Sequence, residues 1–398
     1  LPVRVAHLVS HPIQYSVPVY RALSAFSDID LTVYYLTDTG IDRYFDPGFG
    51  GELRWDVDLL SGYKSEFLPS ARGRSAARDL RQAPQMDVLR ALGQGPFDVV
   101  WAHGYQSWTI LLARGLALLK RQGFLMRDDQ TLLEPRSRIA RLAKRTIFRY
   151  LFLDSKSRAL HPGVNSRKHF AHFGVPDRKL RPAVHCVDDA LFSQALTALQ
   201  PRRDELRRAF GIPDAAPVIL FCGKLIEKKD PAVLLEAFAR VRRAHDAWLL
   251  IVGDGPLMPE LLAMRDRYEP TIGQSIVFAG FLNQSRMPEA YTAADIFVLP
   301  SREHETWGLV INEALQFSLP IVASDHVGCV PDLVVDNDNG LVFPTGSVEA
   351  LSDCLTRLVA NPQLRHTFGQ RGRDLVANYT VDTCASQIRS ACLEVAAP

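Results

Sequence analysis

Short hydrophobic runs alternate with longer amphipathic stretches along the first half of the chain. The runs at 3–9, 29–35 and 99–102 have the length and composition of strands, and helical stretches at 17–24 and 109–120 follow two of them. This alternation is typical of a parallel sheet with helices on both faces. The pattern therefore predicts an α/β domain in the first half of the chain.

A second alternating series begins at residue 218. Its predicted strands and helices are 218–221, 231–244, 248–252, 275–279, 287–293, 295–299, 309–317 and 320–324, before a helical tail at 348–360 and 362–394. Two such series predict two Rossmann-like, doubly wound parallel-sheet domains, 1–190 and 191–377, facing each other across a cleft where a ligand binds. A C-terminal helix over about 378–398 is expected to pack back on the first domain.

Two segments have no regular pattern. Residues 40–80 are rich in Gly, Asp and aromatic side chains and are interpreted as a long active-site excursion from the first domain. Residues 188–201 are interpreted as the connection between the domains.

Composition and charge exclude several classes of protein. The chain has 398 residues and a net charge of +2, which gives no reason to expect nucleic acid as a partner. The six cysteines are scattered without a paired spacing, which is typical of reduced thiols in the cytoplasm. No signal peptide and no membrane-spanning run is visible, so a cytoplasmic protein is expected.

A basic stretch at 136–149 contains no acidic residue and interleaves arginines and Lys144 with apolar side chains. A basic amphipathic helix can lie on an anionic membrane, and this reading predicts peripheral contact with the inner membrane face. A helix that packs one face and solvates the other gives the same pattern, and this ordinary reading is slightly favoured.

The stretch 296–315 contains the strongest candidate chemistry. A buried strand ends at Pro300, a short polar loop holds Glu305, and a helix opening near Leu309 holds Glu313. The unpaired amides and the dipole of a helix N-terminus favour an anion, while carboxylates accept hydrogen bonds from hydroxyls. The combination suggests a sugar phosphate or a nucleotide sugar, although acidic residues early in a helix are common.

Other candidate residues follow predicted strands at the edge where open parallel sheets bind ligands. Lys224 and Lys229 follow the strand 218–221 and could meet a diphosphate, although lysines in loops are usually just solvated. His103 follows the strand 99–102 and could relay a proton, although a lone histidine is more often structural. The candidates for contact with an acceptor molecule are His11, Gln14, Tyr15, Arg127 and Asp128.

A catalytic metal is not expected. Asp-x-Asp pairs occur at 28–30, 56–58 and 336–338, but none clearly follows a buried strand in a nucleotide-binding setting. The sequence contains no P-loop and no Ser/His/Asp or Cys/His arrangement. The prediction is therefore no metal site and no cofactor.

Several segments of the second half match motifs of one enzyme family in order and at natural spacings. They are Glu305–Glu313 with its E-x7-E spacing, 221–229, 250–256, 294–301, 320–328 and 339–342. The chain thereby resembles the retaining glycosyltransferases of the GT-B fold in the large family numbered 4. The match covers about residues 218 to 350, whereas the first half matches mainly through its topology and His103.

The resemblance implies a role for each matching residue. Glu313 is expected to bind the ribose hydroxyls of a nucleotide, and Glu305 the hydroxyls of the donor sugar. The expected catalytic set is His103, Glu305, Lys224 and Lys229, with both lysines facing the diphosphate. The expected nucleotide-sugar site also includes Gly223, Gly253, Gly280, Phe281, Leu282, Thr306, Trp307, Gly308, Leu309 and Val310. The amides of the last three would meet the diphosphate, and 280–282 would lie near the base.

The sequence departs from the family at two positions. Lys224 stands where the family usually has arginine, and it keeps the charge without the bidentate fork. The first loop has His11-Pro12-Ile13-Gln14-Tyr15 where many members have a glycine pair. The first loop is therefore expected to contact the acceptor rather than a phosphate.

The activity that the resemblance implies is retaining, metal-independent transfer of a hexose-type sugar. The donor would be a nucleotide diphosphate sugar, with UDP as the expected nucleotide, and the acceptor a hydroxyl of a glycan, lipid-linked or small molecule in polysaccharide or glycoconjugate biosynthesis. Mutating Glu305 or Lys229 to Ala is expected to abolish transfer. The alternatives are a nucleotide-sugar epimerase of the same architecture and a non-enzymatic sugar-binding protein.

Overall fold

The computed structural model describes residues 1–73, 83–133 and 137–397. They form two compact units with separate hydrophobic cores. Unit 1 consists of Leu1–Tyr44, Val57–Cys186 and Val381–Pro398, and unit 2 of Phe45–Asp56 and Val187–Thr380.

Unit 1 is built on a parallel sheet. Its strands are β1 (Val3–Val9), β2 (Ile29–Tyr35), β5 (Lys64–Phe67), β6 (Val99–His103), β7 (Gly123–Arg127), β8 (Ser157–His161) and β9 (Leu180–Pro182). Its helices are α1 (Val17–Ala25), α2 (Asp87–Gln94), α3 (Trp108–Leu119), α4 (Arg138–Leu151) and α5 (Val164–His172). The strand order is β5-β2-β1-β6-β7-β8-β9, so the direction of winding reverses between β1 and β6.

Unit 2 repeats this architecture. Its strands are β10 (Val218–Cys222), β11 (Trp248–Val252), β12 (Ile276–Gly280), β13 (Ile296–Leu299), β14 (Ile321–Ser324) and β15 (Gly340–Phe343). Its helices are α6 (Asp189–Leu199), α7 (Arg203–Ala209), α8 (Pro231–Ala244), α9 (Met258–Arg267), α10 (Pro270–Gly273), α11 (Met287–Ala293), α12 (Leu309–Gln316), α13 (Val330–Leu333), α14 (Val348–Ala360) and α15 (Pro362–Val376). The order β12-β11-β10-β13-β14-β15 reverses between β10 and β13.

Burial explains why these strands are hydrophobic throughout. Every residue of β10, β13 and β14 is buried, because helices cover both faces of a parallel sheet. The prediction of two Rossmann-like, doubly wound parallel sheets is confirmed.

The last helix, α16 (Val381–Ala396), lies in unit 1 although it follows all of unit 2 in the chain. Ile388 and Val395 are buried in the same hydrophobic cluster as Trp101 and Leu125. Arg389 forms an ion pair with Asp28, with Nε and Oδ1 2.8 Å apart. The helix therefore closes one face of the unit 1 sheet.

Two segments differ from their interpretation in the sequence. The hairpin of β3 (Tyr44–Asp46) and β4 (Gly51–Leu53) lies in unit 2 apart from Tyr44, although 1–190 was the expected first domain. Most of the residues 188–201, interpreted as a connection, form the helix α6. The Asp188 carboxylate caps its first turn by accepting a hydrogen bond from the Leu191 amide at 3.1 Å. Residues 74–80 of the predicted excursion lie outside the described residues.

Candidate functional site

The candidate site of unit 2 lies at the point where the winding of its sheet reverses. Strands β10 and β13 are neighbours there, with Ile219 paired to Ile296 and Leu220 to Phe297. Parallel strands end at the same edge, so the loop after β10 and the loop after β13 emerge side by side. Open α/β sheets bind ligands at this crevice.

Lys229 and Glu305 meet in this crevice, one from each loop. The ammonium of Lys229 contacts Oε2 of Glu305, and the hydroxyl of Ser301 donates to the same oxygen at 3.1 Å. Both charged side chains are largely buried, with 12% of Lys229 and 10% of Glu305 exposed. The sequence predicted both residues for this edge, and the structure brings them into direct contact.

The charged form of Glu305 is held by its neighbours. Burial alone would raise the pKa of this carboxyl, but the charges of Lys229 and Lys228 and hydrogen bonds from Lys229 and Ser301 outweigh it. The pKa of Glu305 is therefore below its ordinary value. An ionised carboxylate at this position can accept hydrogen bonds from hydroxyl groups.

The loop before α12 is fixed so that the helix N-terminus faces the same crevice. The amides of Gly328 and Cys329 donate to the carbonyls of Glu305 and Trp307 at 2.9 and 3.0 Å. Gly308 precedes the helix with a φ of +96°, a conformation that favours glycine.

The first amides of α12 are a candidate anion-binding group. Ile311 is the first residue of α12 whose amide donates within the turn, to the carbonyl of Gly308 at 2.9 Å. Leu309 and Val310 precede it and so have no carbonyl partner inside the helix. Their amides and the helix dipole are suited to an anion such as a phosphate.

Glu313 lies inside α12 and is held by two side chains that the sequence analysis did not single out. Its side chain is buried, the hydroxyl of Tyr291 donates to Oε2 at 2.6 Å, and Gln284 Nε2 lies 3.4 Å from Oε1. Two buried donors fix the direction of this carboxylate. Neither partner is recognisable in the sequence, because a tyrosine in a helix and a glutamine in a loop are ordinary residues at such positions.

Trp307 and Thr306, predicted for the nucleotide-sugar site, differ in burial. Trp307 is buried, and its indole nitrogen donates to Asn312 Oδ1 at 2.8 Å. Thr306 is half-buried next to Glu305. Trp307 therefore helps to fix the loop before α12, and its direct contact with a ligand stays a prediction.

Lys224 has an acidic partner from the β3–β4 hairpin. Its ammonium lies 2.8 Å from both oxygens of Asp46 and 4.8 Å from the centre of the Phe49 ring. Asp46 also accepts from the Gly48 amide at 2.8 Å, so the turn itself positions the carboxylate. The sequence analysis missed Asp46, and the role of Lys224 toward a diphosphate stays a prediction.

Three glycines predicted for the site, Gly223, Gly253 and Gly280, lie at the ends of the neighbouring strands β10, β11 and β12. A side chain on Gly253 would place its Cβ only 1.9 Å from the carbonyl oxygen of Gly223. The amide of Gly253 donates to the Gly280 carbonyl at 2.8 Å. The absence of a side chain at Gly253 is thus needed for the close approach of β10 and β11.

The segment after β12 packs against the same hairpin. The ring of Phe281 lies 5.0 Å from that of Phe49 and 6.5 Å from that of Trp55, and Leu282 is buried. Asn283 donates to the carbonyl of Arg54 at 2.7 Å. Two aromatic side chains therefore lie next to Phe281, in the segment 280–282 that is predicted to lie near the base.

His103 and the first-loop residues lie at the corresponding edge of unit 1. His103 ends β6, and the loop carrying His11, Gln14 and Tyr15 follows β1, its neighbour in the sheet. Nδ1 of His11 lies 2.9 Å from Oγ of Ser10. The four side chains are half-buried, and their assigned roles stay predictions.

Arg127 and Asp128, also predicted to contact the acceptor, are buried. Arg127 donates through Nη2 to the carbonyls of Ala183 and Val184 at 3.1 and 2.9 Å, and the carbonyl of Asp128 accepts from the Ser166 hydroxyl at 2.6 Å. These contacts connect β7 to the segments around it. The predicted role toward an acceptor stays a prediction.

The basic stretch forms α4 from Arg138 onward, while Arg136 lies outside the described residues. Ile139 and Leu142 are exposed on this helix, whereas Phe148 is buried in the core of unit 1. None of the helices in the described ranges is long and apolar enough to cross a membrane. The predicted peripheral membrane contact stays a prediction.

Comparison with known proteins identifies the region that carries the site. Residues 202–375 match the family described as glycosyl transferases group 1. The α-D-kanosaminyltransferase of Streptomyces kanamyceticus is 31% identical over 197 residues, which are 48% of this chain and 48% of that protein. The N-acetyl-α-D-glucosaminyl L-malate synthase of Bacillus anthracis is 25% identical over 202 residues, half of each chain. The chain thus spans about half the length of the curated relatives it matches.

Solved structures match the whole fold at low sequence identity. Anabaena HepE in complex with UDP has a TM-score of 0.75 at 16% identity, covering 99% of this chain and 100% of that one. A glycosyltransferase from Rickettsia africae ESF-5 also has a TM-score of 0.75, at 14% identity and with 99% and 98% covered. The fold is GT-B, as the sequence predicted, and residues 202–375 are similar to the family described as glycosyl transferases group 1.

Proposed function

We propose that this protein is a retaining glycosyltransferase that moves a hexose-type sugar from a UDP-linked donor to a hydroxyl of a glycan, lipid-linked or small-molecule acceptor. The observation that carries the proposal is the pairing of Lys229 with Glu305 beside the N-terminus of α12, where the winding of the sheet reverses. The group 1 match of residues 202–375 supports it. Further support comes from relatives named as kanosaminyl- and sulfoquinovosyltransferases and from the fold of a protein solved with UDP-glucose.

Each part of the donor has a chemically suitable partner in unit 2. The diphosphate lies against the amides of Leu309 and Val310, where the helix dipole favours negative charge. Glu313 accepts hydrogen bonds from the ribose hydroxyls, because Tyr291 and Gln284 already fix its orientation. Glu305 accepts hydrogen bonds from hydroxyls of the sugar, while Lys229 balances its charge.

Transfer breaks the bond between the anomeric carbon of the sugar and the diphosphate oxygen. The acceptor oxygen forms its bond to that carbon on the same face, and the acceptor proton passes to the departing diphosphate. Negative charge grows on the diphosphate during this step, so fixed amides and the Lys229 ammonium lower its energy. The role of His103 near the donor sugar rests on the family resemblance alone.

Metal independence is part of the proposal. The cations of this site are supplied by Lys229 and, once Asp46 releases it, Lys224.

The test is a transfer assay with UDP-, GDP- and ADP-sugars, each with and without a panel of hydroxyl acceptors. We expect a product only when the UDP-sugar and an acceptor are both present. NMR should show that the product keeps the anomeric configuration of the donor, and EDTA should not lower the rate. A converted sugar without acceptor would instead indicate an epimerase. No turnover of any sugar, with binding of free sugar alone, would overturn the enzymatic proposal.

A further inference from the structure

A second cavity in unit 2 lies at the other edge of the sheet, where strands begin instead of end. It has a volume of about 300 Å³. Ala294 and Asp295, which directly precede β13, line it together with Pro320, which precedes β14. The length of β13 separates this cavity from the loop that carries Glu305, so the two are different sites.

Two arginine side chains, Arg203 and Arg365, line the cavity, and Arg207 lies behind its lining residue Asp295. Arg203 donates to Asp295 Oδ1 at 2.7 Å, and the adjacent Arg207 donates to Asp295 Oδ2 at 2.6 Å. Arg365 lines the cavity from α15, and its hydrogen bonds, to the carbonyls of Leu358 and Val359 at 2.7 and 2.9 Å, both come from Nη1.

The cavity lining has one more arginine than it has acidic residues. Asp295 is the only acidic residue lining the cavity in the described part of the chain, and it faces Arg203, Arg207 and Arg365. Burial lowers the pKa of Arg365, and the charges of Arg203 and Arg207 lower it further against the opposing effect of Asp295. An anion bound between the guanidinium groups of Arg203 and Arg365 would relieve their repulsion.

Neutral polar groups complete the lining. Gln200, Ser318 and His366 line the cavity, and their side chains make no hydrogen bond among the residues that the structure describes. Hydroxyl, amide and imidazole groups can bind phosphate oxygens or sugar hydroxyls. The cavity therefore combines charged forks with donors that have no other role.

We propose that this cavity is a second ligand site that takes a small phosphate-bearing molecule, separate from the glycosyl-transfer site. Guanidinium forks match the geometry of phosphate oxygens. The volume is at the lower end for small-molecule sites, so the ligand is closer in size to a sugar phosphate than to a dinucleotide.

The position of Tyr291 gives this site a contact with the first one. Tyr291 is one of the lining residues, its hydroxyl donates to Glu313, and its ring stacks on Phe317 with ring centres 5.4 Å apart. A ligand in the cavity would thus lie against the residue that orients Glu313.

The experiment is calorimetric titration of the full chain with inorganic phosphate at constant ionic strength. Gln200→Glu places a carboxylate in the cavity lining without removing any observed contact. Its matched control is Gln363→Glu, which adds the same charge to an exposed position on α15 outside the lining. We expect saturable binding to the wild type, about tenfold weaker binding to Gln200→Glu, and unchanged binding to Gln363→Glu.

A second variant checks the arginine. Arg365→Lys keeps the charge but loses the fork and the hydrogen bonds that Nη1 donates to Leu358 and Val359, so phosphate binding should weaken. Thermal unfolding checks that the variant is folded. Absence of saturable binding to the wild type, or equal binding by Gln200→Glu and the wild type, would overturn the proposal. Neither result depends on sugar transfer, so the proposed enzymatic function is judged separately.

Discussion

Glu305 is a largely buried carboxylate whose charge depends on Lys229. Burial disfavours the ionised form, but the charges of Lys229 and Lys228 and the hydrogen bonds from Lys229 and Ser301 together outweigh it. Removing one member of such a pair leaves the other charge uncompensated, which costs far more than breaking an exposed salt bridge. The pair is therefore part of the stability of unit 2 as well as of the candidate site.

We predict that Glu305→Gln lowers the free energy of unfolding by about 3 kcal/mol at pH 7, because Lys229 loses its partner. The pKa of Glu305 is lower in the folded protein than its ordinary value of 4.5. The stabilisation is therefore complete above pH 4.5 and is lost as the pH falls through the lower folded value. Urea unfolding between pH 7 and pH 3.5 should show the gap between wild type and variant closing at acid pH.

The control for this experiment is Glu303→Gln, which removes an exposed carboxylate from the same loop. It should leave the free energy of unfolding within about 0.5 kcal/mol of the wild type. A gap between wild type and Glu305→Gln that stays constant across the pH range would show that the carboxylate charge is not the cause.

Tyr291→Phe tests the orientation of Glu313. The variant keeps the buried ring and removes the hydroxyl that donates to Oε2 at 2.6 Å. We expect a loss of about 1–2 kcal/mol in the free energy of unfolding, because a buried acceptor loses its donor. If Glu313 binds ribose, calorimetric titration should also show weaker binding of UDP.

Tyr268→Phe is the matched control, since the Tyr268 hydroxyl makes no hydrogen bond in the described part of the chain. Equal losses in the two variants would mean that the hydrogen bond to Glu313 contributes nothing.

The hairpin of β3 and β4 adds an acidic residue to the candidate site that the sequence analysis did not predict. Asp46 brings a negative charge to Lys224, a residue expected to meet a diphosphate. A diphosphate would have to displace this carboxylate before it could use the Lys224 ammonium.

Asp46→Asn is therefore predicted to tighten UDP binding by about fivefold, or roughly 1 kcal/mol. The asparagine oxygen can still accept from the Gly48 amide, so the turn should persist. Calorimetric titration with UDP measures the effect, and Glu52→Gln in the same hairpin is the control for loss of an exposed charge. Weaker binding by Asp46→Asn would show instead that Asp46 positions Lys224 for the ligand.

The start of α12 depends on a glycine. Gly308 has a φ of +96°, and an added Cβ would lie 3.1 Å from side-chain carbons of Leu299 and Val327. Gly308→Ala should therefore combine backbone strain of about 1–2 kcal/mol with crowding. It should also displace the amides of Leu309 and Val310 and weaken UDP binding.

Gly346→Ala separates these two effects. Gly346 has a φ of +77° with nothing within 4 Å of an added Cβ, so its alanine variant suffers the backbone strain alone. The difference in urea unfolding between the two variants measures the crowding at Gly308. A Gly308→Ala variant no less stable than Gly346→Ala would contradict the packing argument.

At the scale of the whole molecule, the sequence predicted what depends on short-range patterns. Alternating strands and helices predicted both sheets, and the strand ends predicted that Lys229 and Glu305 share one edge. The helix α6 was missed because residues 188–201 were interpreted as the connection between the domains, although Asp188 caps the helix.

Contacts between distant segments could not be predicted in the same way. Asp46 and Lys224 are 178 positions apart, and nothing in the composition of 45–56 indicates that it packs on unit 2. Tyr291 and Gln284 were missed because a buried hydrogen bond to Glu313 leaves no periodic signal in the sequence. Long-range polar contacts depend on the three-dimensional fold rather than on local spacing.

The separate cores of the two units lead us to predict that damage to one core destabilises mainly the sheet of its own unit. Ile388 of α16 is buried in the core of unit 1, whereas Leu358 of α14 is buried in unit 2. Each substitution to alanine should cost about 3 kcal/mol through the cavity that it leaves. Hydrogen exchange should therefore accelerate in β1, β6 and β7 for Ile388→Ala, and in β10, β13 and β14 for Leu358→Ala. Equal acceleration of both sheets by either variant would mean that the units unfold together, because a loss in one core would then be shared by the other.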